Sequence, residues 1–424
     1  MIAIVGAGAC GLVAALTLKE AGVDCVVLER DALPSGSTAL SSGFIPACGT
    51  RWQKAIGVED SVEGFFLDIQ KKNHHGARPD VVKAAVAASG PALEWLADRH
   101  GIPFLVLEGF LYPGHSVARM HAVPEKTGAG LMGRLLSAAE KAGIVLLTKA
   151  LAIDVKANEI RIKRPDGSTE IIECDAVLLA CNGFGGNREM VRQYIPEIAD
   201  AEYAGHAGNQ GDAVRWGSAL GARLADMGAY QGHGAWAVPH GKLLTWALMS
   251  EGAIQVNALG RRFADEGQGY SEASQGVLAQ PGRYAWSIYD ERLHQLGLAF
   301  PDYVELNAAG AMRTAANVEA LAAATGLPLG ALRSEVQKFE PPYYAVKVTG
   351  ALFHTQGGLE IDAGARVLGT QGRPLPNIYA GGGAARGFSG AHVWGYLSGN
   401  GLLSAVALGR IAAQSIAAAG HGAL

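Results

Sequence analysis

Charge, cysteine and long apolar runs are the scarce features of this chain. Charged residues make up 17 % of its 424 positions, and the net charge is −4. That balance gives no electrostatic reason to expect nucleic acid or an anionic membrane as a partner. The five cysteines, Cys10, Cys25, Cys48, Cys174 and Cys181, are odd in number and lack CxxC spacing. They read as reduced, mostly buried thiols of a cytoplasmic protein. Without CxxCH, an attached c-type haem is excluded. No uninterrupted apolar run reaches ~18 residues, so no membrane span is expected. Met1 leads straight into an apolar run, which leaves no room for the charged start of a signal peptide. His74-His75 and His115/His121 have no cysteine or acid at ligand spacing, so no metal site is expected.

Glycine, in contrast, is abundant, with 58 residues, about twice the usual fraction. Three of these glycines open the most informative segment. The β-type run Ile2 to Val5 enters Gly6-x-Gly8-x-x-Gly11, and a helical stretch from Leu12 to Ala21 follows. Gly22 breaks that helix before a second apolar run, Cys25 to Leu28, which ends in Glu29. Gly6 permits the tight turn, Gly8 admits a pyrophosphate, and Gly11 lets helix and strand pack closely. The helix N-terminus offers N–H groups and a positive dipole end to phosphates. Glu29, 18 residues beyond Gly11, is placed to accept from a ribose diol. Strand, glycines, helix, strand and acid in this order predict dinucleotide binding. Gly128-Ala-Gly-Leu-Met-Gly133 repeats the glycine spacing, but a polar loop precedes it and no acid ends a following strand. It reads as a helix start before Arg134 to Ala142.

Further along, Ser35 to Ala47 is a small-residue loop suited to threading between phosphates and a flat ring. Ala176 to Gly186 and Asn377 to Gly383 each read as a buried strand running into a glycine turn. Gly399 to Gln414 reads as a helix. On these segments the chain resembles the flavoprotein superfamily of fumarate reductase and succinate dehydrogenase, which includes 3-ketosteroid Δ1-dehydrogenase. The resemblance is densest at 1–50, 227–272 and 343–414. It implies an α/β fold, in which a Rossmann-like FAD-binding domain is interrupted by an α+β cap domain. The FAD-binding segments would be 1–226 and 352–424, and the cap 227–351, with Pro341 to Lys347 returning the chain. Expected FAD contacts are Gly6, Gly8, Ala9, Cys10, Gly11, Glu29 and Arg30 in the first unit, then Ser37, Thr38, Ser42 and Gly43. The others are Ala150, Ala180, Asn182 and Gly183, then Gly382, Gly383, Asn400, Leu402 and Leu403. Ser37 stands where succinate dehydrogenases carry a flavin-linking histidine, so the FAD is expected to be non-covalent. Gly383 departs from the acid or amide that relatives often place near the ribityl chain.

The resemblance also maps the substrate site. The fumarate reductases' first substrate histidine falls on His233 and their second on His354. Their threonine falls on Thr245, but the glutamate after it is Trp246. Their proton-donating arginine is Tyr270 here, and the arginine that clamps a carboxylate is Tyr396. A dianion is bound best by bidentate guanidinium groups, so two neutral phenols point away from fumarate. Tyrosines at these positions are similar to those of the 3-ketosteroid dehydrogenases. The expected reaction is desaturation of a C–C bond beside a carbonyl, with an external quinone, protein carrier or oxygen taking the electrons. It needs a base for the α-proton, a hydride acceptor and donors for the enolate oxygen. The expected base is Tyr270. Tyr396 and the backbone of Gly399 and Asn400 would hold the oxygen, with His233 and His354 positioning the substrate. A phenol is a weak base at neutral pH unless a cation or donor lowers its pKa, and His233, His354 and Arg386 are the candidates for that. Trp236, Trp246 and Trp394 are candidates for an apolar wall. Arg261 and Arg262 read as structural partners of Asp265 or Glu266. The alternatives are a fumarate/succinate-type enzyme and a flavin-binding electron carrier.

Overall fold

Strands that are apolar at every position need cover on both faces, which is the property of a buried parallel sheet. In the computed structural model, which describes residues 1–421, six strands form such a sheet. Their order is Arg366–Leu368, Pro374–Ala380, Ala176–Leu179, Ile2–Val5, Cys25–Leu28 and Val145–Leu147. All pair in parallel except the edge strand Arg366–Leu368. Ile2 lies in register with Ala176 on one side and Cys25 on the other. The helix expected from Leu12 begins earlier, as Ala9–Glu20, because Gly8 is its N-cap and the glycine loop already turns into it. Gly6 has φ +108°, and a Cβ there would lie 2.5 Å from the Ala180 carbonyl oxygen. A Cβ at Gly11 would lie 1.9 Å from that of Gly6. The second glycine match does open a helix, Gly128–Lys141, whose Thr127 side chain accepts from the Gly130 N–H at 3.0 Å.

The last helix, Asn400–His421, packs against Ala9–Glu20 and Pro79–His100. Its residues 400–420 are long and apolar enough to cross a bilayer, but half of the stretch is buried inside the protein. The apolar content therefore serves the core.

A second, mixed sheet of seven strands is built around Tyr343–Thr355. Tyr230–Ala237 and Ala285–Asp290 flank it antiparallel. Helix Tyr270–Leu278 lies across these strands. The fold is thus α/β, a Rossmann-like parallel-sheet domain interrupted by an α+β cap. The break expected at 351/352 falls inside the continuous strand Tyr343–Thr355, and Glu202–Tyr203 from the first segment pairs with its Ala351 and Leu352. Cap and FAD-binding domain are therefore joined by a strand and not by a linker at that point. Near the other crossing, Asp226 takes φ +54° and accepts from Arg386 Nε at 2.5 Å. Arg386 also faces Glu360 at 3.7 Å, which Arg78 reaches at 3.4 Å.

Candidate active site

A cavity runs between the two sheets. Its first half is walled by the glycine loop (Gly6, Gly8, Ala9, Cys10), the acid strand end (Glu29, Arg30) and the small-residue loop (Ser37, Thr38, Ser42, Gly43). Ala150, Ala180, Asn182, Gly382, Gly383 and Leu402 complete it. The Thr38 hydroxyl accepts from the Ala9 N–H at 3.0 Å, tying the two loops together. Glu29 accepts from the Ala7 N–H at 3.0 Å and the Asp31 N–H at 2.9 Å, and carboxylate oxygens have lone pairs left for a diol. At Gly383, a Cβ would lie 2.0 Å from Asn182 Oδ1. The Asn182 carboxamide fills the space beside Gly383, and its Nδ2 donates to Ser37 Oγ at 2.7 Å. These small residues, a bare cradle of backbone and a buried carboxylate fit an elongated dinucleotide.

Four expected contacts lie off this surface. Gly11 touches the Gly6 carbonyl and Gly183 abuts Thr355, while Leu403 sits in the core. Asn400 is fully buried, and neither atom of its carboxamide has a partner. Gly11 and Gly183 shape the cradle through the lack of a side chain and do not present one to the ligand.

The far half of the cavity is aromatic. The His233 ring stacks on Tyr270 at 4.7 Å and 18°, with Trp246 edge-on to His233 at 5.7 Å. Tyr396 lies 6.0 Å from Tyr270, and His354 stands edge-on to Tyr396 at 5.7 Å. The structure therefore brings all four expected side chains together. The Tyr270 hydroxyl meets those of Tyr396 and Ser398. The Tyr396 hydroxyl is held by the N–H groups of Gly399 and Gly401. The Asn400 N–H goes to the Leu397 carbonyl at 3.1 Å.

Among the described residues, no cation supports the phenols. Burial pushes His233 down to about 3 and His354 to about 4, so both rings are neutral at pH 7. His233 Nδ1 accepts from the Ala235 N–H at 3.1 Å, which leaves the proton on Nε2. Gln356, whose Oε1 accepts from Ser389 at 3.0 Å, has its Nε2 3.0 Å from His354 Nδ1, which also faces the Thr355 carbonyl at 3.2 Å. Arg386, the third candidate, is held in the Asp226–Glu360 network outside the cavity. Burial accordingly raises Tyr270 well above its ordinary value, with Tyr396 adding to the effect, and burial pushes Tyr396 up to about 12. The lowered Tyr270 pKa expected from the sequence is thus absent in this arrangement.

Of the three tryptophans, Trp246 lines the cavity. Trp236 instead donates to Glu202 at 2.8 Å, and Trp394 is exposed and stacked on His392. Arg262 pairs with Glu266, as expected. Sequence reasoning missed Tyr112 and Ser398. Tyr112 is edge-on to Tyr270 at 6.1 Å and its hydroxyl meets Thr245. Nothing in its surrounding loop marks it, whereas Ser398 stands two residues after Tyr396 and was within reach of the sequence.

A parallel sheet with a glycine-loop cradle, joined to a cap that closes an aromatic pocket, defines a dinucleotide-dependent oxidoreductase. The chain matches the FAD binding domain family over residues 2–402 and belongs to it. It is an FAD-dependent oxidoreductase of the fumarate reductase/succinate dehydrogenase group, acting on CH–CH bonds. A probable fumarate reductase of Shewanella frigidimarina is 28 % identical over 447 aligned residues, covering 98 % of this chain and 74 % of that protein. Among solved structures, the open conformation of a flavocytochrome c3 fumarate reductase superposes with TM-score 0.82 at 27 % identity, over 99 % of this chain and 78 % of that one. A 3-ketosteroid-Δ4-(5α)-dehydrogenase of Rhodococcus jostii RHA1, solved with 4-androstene-3,17-dione, gives TM-score 0.76 at 26 % identity, over 98 % and 96 %.

Proposed function

We propose that this enzyme desaturates, or in reverse saturates, the C–C bond beside the carbonyl of an uncharged, apolar ring ketone. The observation that carries this reading is the facing pair Tyr270 and Tyr396, in a half-cavity whose cap residues include no lysine or arginine. A dicarboxylate there would leave two charges desolvated and unpaired, which costs several kcal/mol per ion (about). The similarity to an enzyme solved with a steroid dione supports a ketone substrate.

In this reading the ketone oxygen takes the place beside the Tyr396 hydroxyl and the Gly399 and Gly401 N–H groups, donors aimed at the negative charge that grows there. Withdrawal of charge toward that oxygen loosens the α-proton, and Tyr270 exchanges it. The His233 ring, stacked on Tyr270, fixes the phenol's orientation. His354 abuts Tyr396, and Trp246 and Phe353 exclude water. Bound FAD supplies the two-electron acceptor for the β-hydride. A quinone, protein carrier or oxygen outside the pocket then takes the electrons.

One observation favours exchanging the two tyrosines' roles: the Gly399 and Gly401 N–H groups at Tyr396 favour its phenolate, whereas the partners of Tyr270 are hydroxyls. The test is anaerobic bleaching of the flavin's visible absorbance by cyclohexanone-type ketones, a 3-ketosteroid and succinate. A ketone that bleaches where succinate does not is the expected result, and bleaching by succinate alone overturns the reading. Phe variants then separate the roles. Loss of the base removes the rise of rate with pH, while loss of the oxygen donor lowers the rate and keeps that rise.

A further inference from the structure

Among the cap residues that line the cavity, Asp302 alone carries a charge. It follows Phe300 at the start of helix Pro301–Ala308, and its Oδ2 accepts from the Ser42 hydroxyl at 2.7 Å. It has no ion-pair partner among the described residues, because nearby Lys242 is paired with Glu305 at 2.7 Å. Between Asp302 and the phenols the wall is aromatic. Phe300 lies 6.3 Å from Phe44 and 5.3 Å from Phe110, which meets Tyr112 at 4.9 Å, and Tyr112 meets Tyr270. The only arginine on the cavity surface, Arg30, is committed to the Gly208 carbonyl at 2.8 Å. The cavity thus has donors for a carbonyl oxygen at the phenols, aromatic lining from Phe44, Tyr112 and Phe300, and an acceptor without an ion pair beside Ser42.

We propose that Asp302 is a specificity determinant that receives a hydroxyl group on the substrate's end remote from the carbonyl and rejects a carboxylate there. This rests on the ketone reading above. A half-buried carboxylate with one hydrogen bond has acceptor capacity left for an O–H donor. An anion in the same place meets a like charge without a cation to offset it. The substrate is then a neutral hydroxy ketone.

The experiment measures Kd by perturbation of the flavin spectrum in the FAD-loaded enzyme. The probes are 4-hydroxycyclohexanone, 6-hydroxy-2-decalone, the two parent ketones and 4-oxocyclohexanecarboxylate, so that both one-ring and two-ring spans are sampled. For the hydroxy ketone of fitting length, wild type should bind about tenfold or more tighter than its parent, the range for a hydrogen bond to a charged group. Asp302→Ala should abolish that preference. Asp302→Asn should keep most of it and bind the carboxylate about tenfold better. An unchanged hydroxyl preference in Asp302→Ala overturns the assignment and leaves the ketone reading standing. So does loss of FAD in both variants with unchanged ketone ratios, since that places Asp302 at the cofactor. Failure of every ketone to bind wild type overturns both readings.

Discussion

Tyr270→Phe isolates the chemistry of this site from its architecture. The substitution removes one oxygen and keeps the ring, so the stack on His233 at 4.7 Å and the contacts with Tyr396 at 6.0 Å and Tyr112 at 6.1 Å survive. What is lost is a buried hydroxyl that meets Tyr396 and Ser398. A hydrogen bond of that kind is worth about 0.5–1.5 kcal/mol of stability. Loss of a general acid–base group lowers the rate by about 10²–10⁴, which at 1.36 kcal/mol per decade is about 3–5 kcal/mol of barrier. The catalytic loss should therefore exceed the stability loss severalfold. Anaerobic single-turnover flavin reduction measures the first, and thermal unfolding with flavin content measures the second. Exchange of the ketone's α-hydrogen into deuterated solvent, followed by NMR, should fall with the flavin reduction. A variant that keeps more than about a tenth of wild-type turnover refutes the assignment of Tyr270 to proton exchange, since no base-loss argument allows so small an effect.

Gly6→Ala sets a methyl 2.5 Å from the Ala180 carbonyl at φ +108°, so the purified protein should lose most of its bound FAD, read from the ratio of visible to ultraviolet absorbance. Arg386→Met leaves Asp226 without its ion pair and Glu360 with fewer partners, and should destabilise by about 2–4 kcal/mol in denaturant unfolding. Because Arg386 lies outside the cavity, Arg386→Lys should leave the pH profile of turnover where it is in wild type. His233, held neutral down to about 3, favours the fold above its ordinary pKa near 6.5. That contribution should fade as pH falls from about 6.5 toward 3, and melting curves of wild type and His233→Phe should converge over this range.

The FAD-binding half was legible because its chemistry is written in neighbours along the chain. Ile2 to Glu29 contains strand, cradle, helix and acid in one unit, and Gly6 and Gly11 each answer to a contact with a backbone oxygen. The facing of Tyr270 and Tyr396 was legible for another reason: they are 126 positions apart, and only their match to mapped arginine positions set them side by side. Electrostatics was not legible. A histidine in a sequence carries no sign of its burial, so His233 and His354 passed as cations that could lower a phenol's pKa. Folding places both in a dry pocket where the charged form is disfavoured. Arg386 was misread for the complementary reason, since the acids that claim it, Asp226 and Glu360, come from distant segments. The break at 351/352 was set by the family resemblance, and a strand that runs through it leaves no edge in the sequence.

Neutral phenols between neutral histidines also bear on direction. With Tyr396 at about 12, forming its phenolate at pH 7 costs about 7 kcal/mol at 1.36 kcal/mol per unit. Burial raises Tyr270 as well, so its phenolate is also disfavoured at pH 7. The resting site is thus built as a proton donor. It suits saturation of an activated double bond, in which a protonated Tyr270 delivers its proton to the α-carbon. Desaturation needs the rare deprotonated form, so its rate should climb about tenfold per pH unit from neutral toward the pair's ionisation, while saturation stays nearly flat. Both rates can be read on one enzyme, from flavin reduction by the ketone and flavin reoxidation by the enone in matched buffers. If desaturation is flat between pH 7 and 9, the phenols are ionised in the working complex, and substrate binding has supplied the stabilisation that this cavity lacks.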